Sequence, residues 1–235
     1  MKIHKFDSLE STNTYLKDHI HDYNNHDVVF TFNQTKGHGR TNRIWTSNND
    51  SLTFSILFKD QFIYDNFESL SIISATSVYQ ILSKRLKNVK IKWPNDIIVN
   101  DKKICGILLE TRISSKIEGL ILGIGLNVNN KNFDSSLNAT SLYLETQKEE
   151  NIDSLLLEIV QQILENIELL KIGKSNHIEI INQNNYLLNK QAYAYINNKK
   201  EKVTVLHILE NNHLVVLLNG KEKEILHDEI SFHKD

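Results

Sequence analysis

Apolar positions recur along the chain with two periods, and the switches between them set out the elements. Ser11-Thr12-Asn13-Thr14 precedes Tyr15, Leu16 and Ile20 at helical spacing, so one of these small polar residues is predicted to cap a short first helix. Residues 28–32 and 52–58 are compact apolar runs that predict strands. Phe67, Leu70, Ile73, Ser74, Ser77, Ile81 and Leu82 then return near every 3.6 residues, predicting a long amphipathic helix to about Lys87 with its apolar stripe on a sheet. Strand texture resumes at 89–93, 97–99 and 104–110, with Asn100-Asp101-Lys102 as the turn of a hairpin.

Residues 119–128 form a further buried run, interrupted by Gly123 and Gly125; such glycines mark either the close approach of a ligand or backbone, or a bulge. The Asn- and Ser-rich stretch 129–150 predicts a long loop. Leu155, Leu156, Ile159, Ile163, Ile167 and Leu170 restore helical spacing, and a second helix is predicted over 179–188. Short β-like runs follow at 192–196, 202–208, 213–218 and 224–226, with turns at Asn197-Asn198 and Asn219-Gly220. The expected fold is therefore α+β: a mixed β-sheet backed by helices over residues 1–188, then a small β-barrel over 189–235.

Charge narrows the function classes. Lys plus Arg at 27 against Asp plus Glu at 29 gives a formal charge of -2, so no global field draws the chain to nucleic acid or an anionic membrane, and any anion binding must be local. No run of about 18 apolar residues is present and the first residues lack the apolar centre of a secretion signal, which together with a single cysteine, Cys105, predicts a cytoplasmic setting. The ten histidines show no metal-ligand spacing.

Two segments concentrate chemistry. In Gln34-Thr35-Lys36-Gly37-His38-Gly39-Arg40-Thr41-Asn42-Arg43-Ile44-Trp45, two glycines let backbone N–H groups approach an anion, Arg40 and Arg43 suit phosphate or carboxylate, and Trp45 offers a face for a flat ring. In Lys92-Trp93-Pro94-Asn95-Asp96 the lone proline stops a strand and directs Asn95 and Asp96 away from it, with Lys103 and Gly106 across the hairpin. A cation, an amide and a carboxylate are thus expected near one sheet end.

Ser11-Thr12-Asn13, then Gln34 with Gly37 to Trp45, then Lys92 to Asp96 with Lys103-Ile104-Cys105-Gly106-Ile107-Leu108-Leu109-Glu110, then Gly123-Ile124-Gly125-Leu126-Asn127-Val128 resembles the biotin protein ligases in order and spacing. The resemblance runs from about residue 6 to residue 130 and more weakly to Glu229-Ile230-Ser231. It implies a seven-stranded class II synthetase-like sheet followed by a small SH3-like domain. It also implies attack of biotin on Mg-ATP to give biotinyl-5′-AMP, then transfer to a lysine of a biotin carboxyl carrier domain of acetyl-CoA or pyruvate carboxylase. By resemblance Lys103 and Arg40 are catalytic. Ser11, Thr12, Asn13, Gln34, Gly37, His38, Gly39, Arg40, Lys103 and Gly106 bind biotin; Arg40, Arg43, Trp45, Asn95 and Asn127 face the nucleotide; and Asp96 is a magnesium ligand. The residue types suit the task, since two anions must meet between fixed cations and a ureido group needs paired donors and acceptors in an apolar pocket.

The chain departs from the family where Gly37-His38-Gly39-Arg40 replaces the usual Gly-Arg-Gly-Arg, exchanging a cation for a residue mostly neutral at pH 7, so weaker adenylate retention is expected. At the other end Asp228-Glu229-Ile230-Ser231-Phe232-His233 stands where a terminal arginine is common. Cys105, between Ile104 and Ile107, is expected to be a core residue and not a nucleophile. The sequence opens on the catalytic region, so no operator binding is expected, and a homodimer through a sheet edge stays open. A lipoate or octanoate ligase and a non-catalytic biotin-binding module are the alternatives; Gln34 and the Lys92 to Asp96 segment favour biotin, and Lys103, Arg40 and Arg43 favour catalysis.

Overall fold

The computed structural model describes residues 1–40, 43–196, 199–226 and 230–232. Seven strands, β1 (Ile3–Leu9), β2 (Val28–Gln34), β3 (Ser51–Phe58), β4 (Val89–Lys92), β5 (Asp96–Val99), β6 (Lys102–Ile113) and β7 (Ile117–Asn127), form one mixed sheet. Their order is β1-β2-β3-β7-β6-β5-β4, with β1 parallel to β2 and each remaining neighbour antiparallel. Among the described residues six α-helices accompany the sheets: α1 (Thr12–Asp18), α2 (Gln61–Asp65), α3 (Phe67–Ser83), α4 (Leu142–Thr146), α5 (Ile152–Lys171) and α6 (His177–Asn184).

Strand alternation assigns the two faces. Leu52, Phe54, Ile56 and Phe58 of β3 and Leu120, Leu122, Ile124 and Leu126 of β7 join the large core under α3 and α5, all buried. The opposite face carries Leu57 and Ile121, packed with Leu16 and Ile20 beneath α1, and then turns polar at Ser51, Thr53 and Ser55. α3 also buries hydroxyls. Ser74 and Ser77 donate back to the carbonyls of Leu70 and Ile73, and Asn166 of α5 donates to Ser77 at 2.8 Å, so polar groups inside this helix pair are satisfied.

A second, five-stranded antiparallel sheet follows: β8 (Gln191–Ile196), β9 (Lys199–Ile208), β10 (Leu214–Leu218), β11 (Lys221–Ile225) and β12 (Ile230–Phe232), in the order β11-β10-β9-β8-β12 of a small SH3-like unit. It docks on the helices through Asn182, whose amide exchanges two hydrogen bonds of 2.8 Å with the backbone of Ile208, and through Asn212, which donates to Ser69. Asn219 and Gly220 both take positive φ, 51° and 76°, as a tight hairpin requires. The Asn197-Asn198 turn lies outside the described residues.

Several elements differ from the sequence reading. The first helix is capped by Ser11, as expected of that group, but β1 precedes it unannounced because its side chains are half-exposed on a sheet edge. The long helix ends at Ser83, with the short α2 separated from it by Asn66, and the predicted loop 129–150 holds α4. The helix expected over 179–188 runs His177–Asn184 and gives way to a turn in which Leu188 bonds back to Asn185. No helix among the described residues is long and apolar enough to cross a membrane.

Candidate functional site

On the polar face of the seven-stranded sheet, α1, the 37–45 loop and the β4–β5 turn enclose one cleft. Gly106, Gly123 and Gly125 form its floor, and Gly106 stands opposite Gly125 across the β6–β7 ladder. Their missing side chains make room. A Cβ on Gly123 would overlap the Asn13 amide, one on Gly125 would lie 2.6 Å from Trp45 Cζ2, and one on Gly106 would lie 2.9 Å from Lys103 Nζ. The glycines inside the β7 run therefore make room for the Asn13 and Trp45 side chains, where the sequence reading expected a ligand, another backbone or a bulge.

One end of the cleft is a hydrogen-bonded cluster. Ser11 caps α1 by accepting from Thr14 N–H, which starts the helix with Thr12 and Asn13 facing the sheet, both buried. Gln34 Oε1 accepts from Thr12 N–H at 2.8 Å. Ser55 Oγ lies 2.7 Å from Thr12 Oγ1 and 2.6 Å from Asn13 Oδ1. An amide oxygen only accepts, so the Ser55 proton goes to Asn13. Asn13 Nδ2 in turn donates to Glu110 Oε2 at 2.9 Å. Burial pushes the Glu110 carboxyl up, but the Asn13 hydrogen bond and the Lys17 and His38 charges outweigh it, and it sits below the ordinary glutamate value.

The other end holds charge. Lys103 Nζ pairs with Asp96 Oδ1 at 2.7 Å and stands 5.6 Å from the centre of the Trp45 ring. Its direction depends on a register shift. Asp96 pairs with Gly106 and Ile98 with Lys103, so three residues of β6 separate partners that are only two apart on β5. The extra residue turns Lys103 onto the same face as Gly106, where strict alternation would have sent it into the core. The backbone of Lys103 is held from outside the sheet: its N–H donates to Asn138 O, and its carbonyl accepts from Thr140 N–H. Asn95 is fixed by donating to Ile107 O at 2.7 Å.

In the loop between these ends, residues 37–39 pair with residues 43–45. His38 bridges Ile44, Gly39 N–H donates to Arg43 O, and Trp45 N–H donates to Gly37 O. Arg40, Arg43 and Trp45 line the cleft, and the Trp45 indole Nε1 is buried with no hydrogen-bond partner among the described residues. His38 Nε2 lies 3.3 Å from Glu110 Oε2. Thr41 and Asn42 lie outside the described residues, as do Asp228, Glu229 and His233 and the side chains of Ile230, Ser231 and Phe232 of the C-terminal signature.

The structure brings together Ser11, Thr12, Asn13, Gln34, His38, Gly39, Arg40, Arg43, Trp45, Asn95, Asp96, Lys103 and Gly106 in the cleft wall. Gly37 and Asn127 stand behind it. A Cβ at Gly37 would overlap the Trp45 carbonyl oxygen, and Asn127 is buried with its amide donating to Thr140 O at 3.0 Å. Sequence reasoning missed Ser55 and Glu110. Ser51, Thr53 and Ser55 alternate with Leu52, Phe54 and Ile56, a period-two polar signal that marked the face. Cys105 is fully buried on the core side of β6, and desolvation drives its thiol far above the ordinary value, as expected of a packing residue.

Residues 5–127 match the model of the biotin/lipoate A/B protein ligase family. The bifunctional ligase/repressor BirA of Bacillus subtilis is 31% identical over 142 residues, covering 58% of this chain and 43% of the relative. The biotin–[acetyl-CoA-carboxylase] ligase of Paracoccus denitrificans is 30% identical over 104 residues, 43% of each chain. The matched stretch thus spans less than half the length of either relative. A biotin protein ligase from Aquifex aeolicus, solved in complex with biotin and ATP, superimposes with a TM-score of 0.86 at 28% identity, over 100% of this chain and 99% of that one.

Proposed function

The chain belongs to the biotin/lipoate A/B protein ligase family, and on that premise we propose that it activates biotin to biotinyl-5′-AMP at the expense of ATP and transfers biotin to a lysine of a carrier domain. One observation carries the choice of reaction: a cluster of buried donors and acceptors, Thr12, Asn13, Gln34 and Ser55, and a Lys103–Asp96 pair stand at opposite ends of one cleft. A ureido head seated on the cluster would lay its valeryl chain over the glycine floor and bring its carboxylate to Lys103. An octanoyl or lipoyl chain would offer that polar cluster neither donor nor acceptor, whereas a ureido head offers both.

Lys103 would bridge the biotin carboxylate and the α-phosphate, offsetting the repulsion of two anions as one oxygen attacks phosphorus and diphosphate leaves. Arg40 and Arg43 would hold phosphate oxygens, and the loop carrying them would exclude water from the mixed anhydride. Trp45 would face the adenine, beside Asn95, with Asn127 supporting that wall from behind. The carrier amine then attacks the acyl carbon, and AMP departs with the bonding electrons of the acyl–oxygen bond. Asp96, the carboxylate at the charged end of the cleft, would hold magnesium, and the ion would neutralise triphosphate charge. The carrier is the biotin carboxyl carrier domain of a carboxylase, the setting is the cytoplasm, and the edge strand β1 is open to a second copy in a homodimer.

The test incubates the protein with biotin, Mg-ATP and a purified carrier domain and weighs the carrier by mass spectrometry. A gain of one biotinyl group supports the reading. A carrier that gains lipoyl or octanoyl mass instead sinks it in favour of the acyl ligases, and no gain with any acid favours a binding module.

A further inference from the structure

We propose that Glu110 is a positioning residue of this site, whose single carboxylate ties His38 to helix α1 and so sets both retention of the adenylate and the orientation of the Asn13 amide. The role depends on the ligase reading above and concerns a residue to which neither motif nor resemblance assigned a task. Glu110 stands on β6, on the cleft side with Gly106 and Leu108, its side chain 23% exposed. Three donors from two segments converge on it: Asn13 Nδ2 at 2.9 Å, Lys17 Nζ at 3.3 Å and His38 Nε2 at 3.3 Å.

Asn13 and Lys17 are four residues apart on α1 and share a face of the helix. His38 comes from the loop, where its bridge to Ile44 couples it to the segment bearing Arg40 and Arg43. With Ser55 on Oδ1 and Glu110 on Nδ2, the Asn13 amide has one orientation. Without Glu110 its remaining acceptor is Leu108 O at 3.5 Å, too long to fix it. His38 would at the same step lose its tie to α1. Glu110 is kept ionised by the donors around it, so the pull on His38 and Lys17 is charge-assisted.

The experiment uses the full chain and follows biotinyl-adenylate formation, with biotin and ATP titrated separately, and adenylate release after trapping. Glu110→Ala is expected to raise the biotin KM and the release rate about tenfold or more, the range of a hydrogen bond to a charged group. Its kcat at saturating biotin and its ATP KM should change by less than about threefold. Glu110→Gln, which still accepts from Asn13, should recover the biotin KM in part but not the release rate. Combining Glu110→Ala with His38→Ala should cost less than the product of the two single effects on release. Should Glu110→Ala fail to fold, Glu110→Gln, His38→Ala and their double variant make the same comparison.

A wild-type biotin KM in a folded Glu110 variant, a loss of kcat with biotin KM unchanged, or effects at 38 and 110 that multiply independently would overturn the role. Wild-type protein that makes no biotinyl-adenylate would overturn the ligase reading itself, and that result is visible before any variant is measured.

Discussion

Gly125→Ala separates the nucleotide wall of the cleft from its stability. Gly125 sits in β7 with φ outside the positive range, so alanine costs nothing in backbone strain and trims the freedom of the unfolded chain, worth about 0.4–1 kcal/mol in favour of folding. The new Cβ would stand 2.6 Å from Trp45 Cζ2 and 2.7 Å from Nε1, where ordinary contact begins near 3.4 Å. β7 is hydrogen-bonded on both sides, to β3 and β6, so the strand stays and the indole must leave. A ring displaced from the cleft no longer stacks a base. That interaction is worth about 1–3 kcal/mol, which converts to roughly a five- to 150-fold rise in ATP KM. Pyrophosphate exchange with biotin held saturating reads the KM, and a thermal melt reads stability. The expected pair is a raised ATP KM with an unchanged or higher melting temperature. An ATP KM within twofold of wild type, in a protein that melts normally, would refute the placement of the base on Trp45.

Lys103→Met should lower the rate of adenylate formation by about 100-fold or more, the scale of an oxyanion-stabilising donor, while circular dichroism stays native; an unimpaired rate would remove Lys103 from the chemistry. Burial holds His177 below the ordinary imidazole value, against the nearby Glu210 charge. A depressed folded pKa means the unfolded chain takes the proton first, so this part of the stability is present above about pH 6.5 and is lost as pH falls. Urea midpoints between pH 7.5 and 5.5 should therefore fall less steeply in His177→Asn, and parallel curves would count against it. Cys105→Ala should leave carrier biotinylation within about twofold and cost stability by about 1–2 kcal/mol through a small cavity, and native protein should resist iodoacetamide; rapid alkylation without unfolding would contradict the burial.

The sheet was legible where strands are buried on both faces or alternate cleanly, as in β3 and β7, and the hairpin at Asn100-Asp101 was legible because φ of 47° and 64° favours these residues. β1 was hidden because its pairing is lateral and its side chains half-exposed, and α4 because five residues carry too little periodicity. In the site, residues inside compact motifs could be found, whereas Ser55 comes from a strand that read as plain, and Glu110, though it closes the Lys103 segment, had no partner visible in the sequence. Their function arises only when β3 and β6 are placed side by side with α1 above them. The turning of Lys103 toward the cleft was equally invisible, since it follows from a one-residue slip between β5 and β6 that no local preference announces.

The seat of Lys103 reaches past the stretch that matches the family model. Its two backbone bonds go to Asn138 and Thr140, and Asn127 fastens Thr140 in turn, whereas the family match ends at residue 127. A fragment cut there would retain Thr12, Asn13, Gln34 and Ser55 but leave Lys103 on a strand end whose amide and carbonyl face water. The two ends of the cleft are therefore not equally portable: the polar cluster could be transplanted with the sheet, while the Lys103 end needs a strap threaded from later sequence.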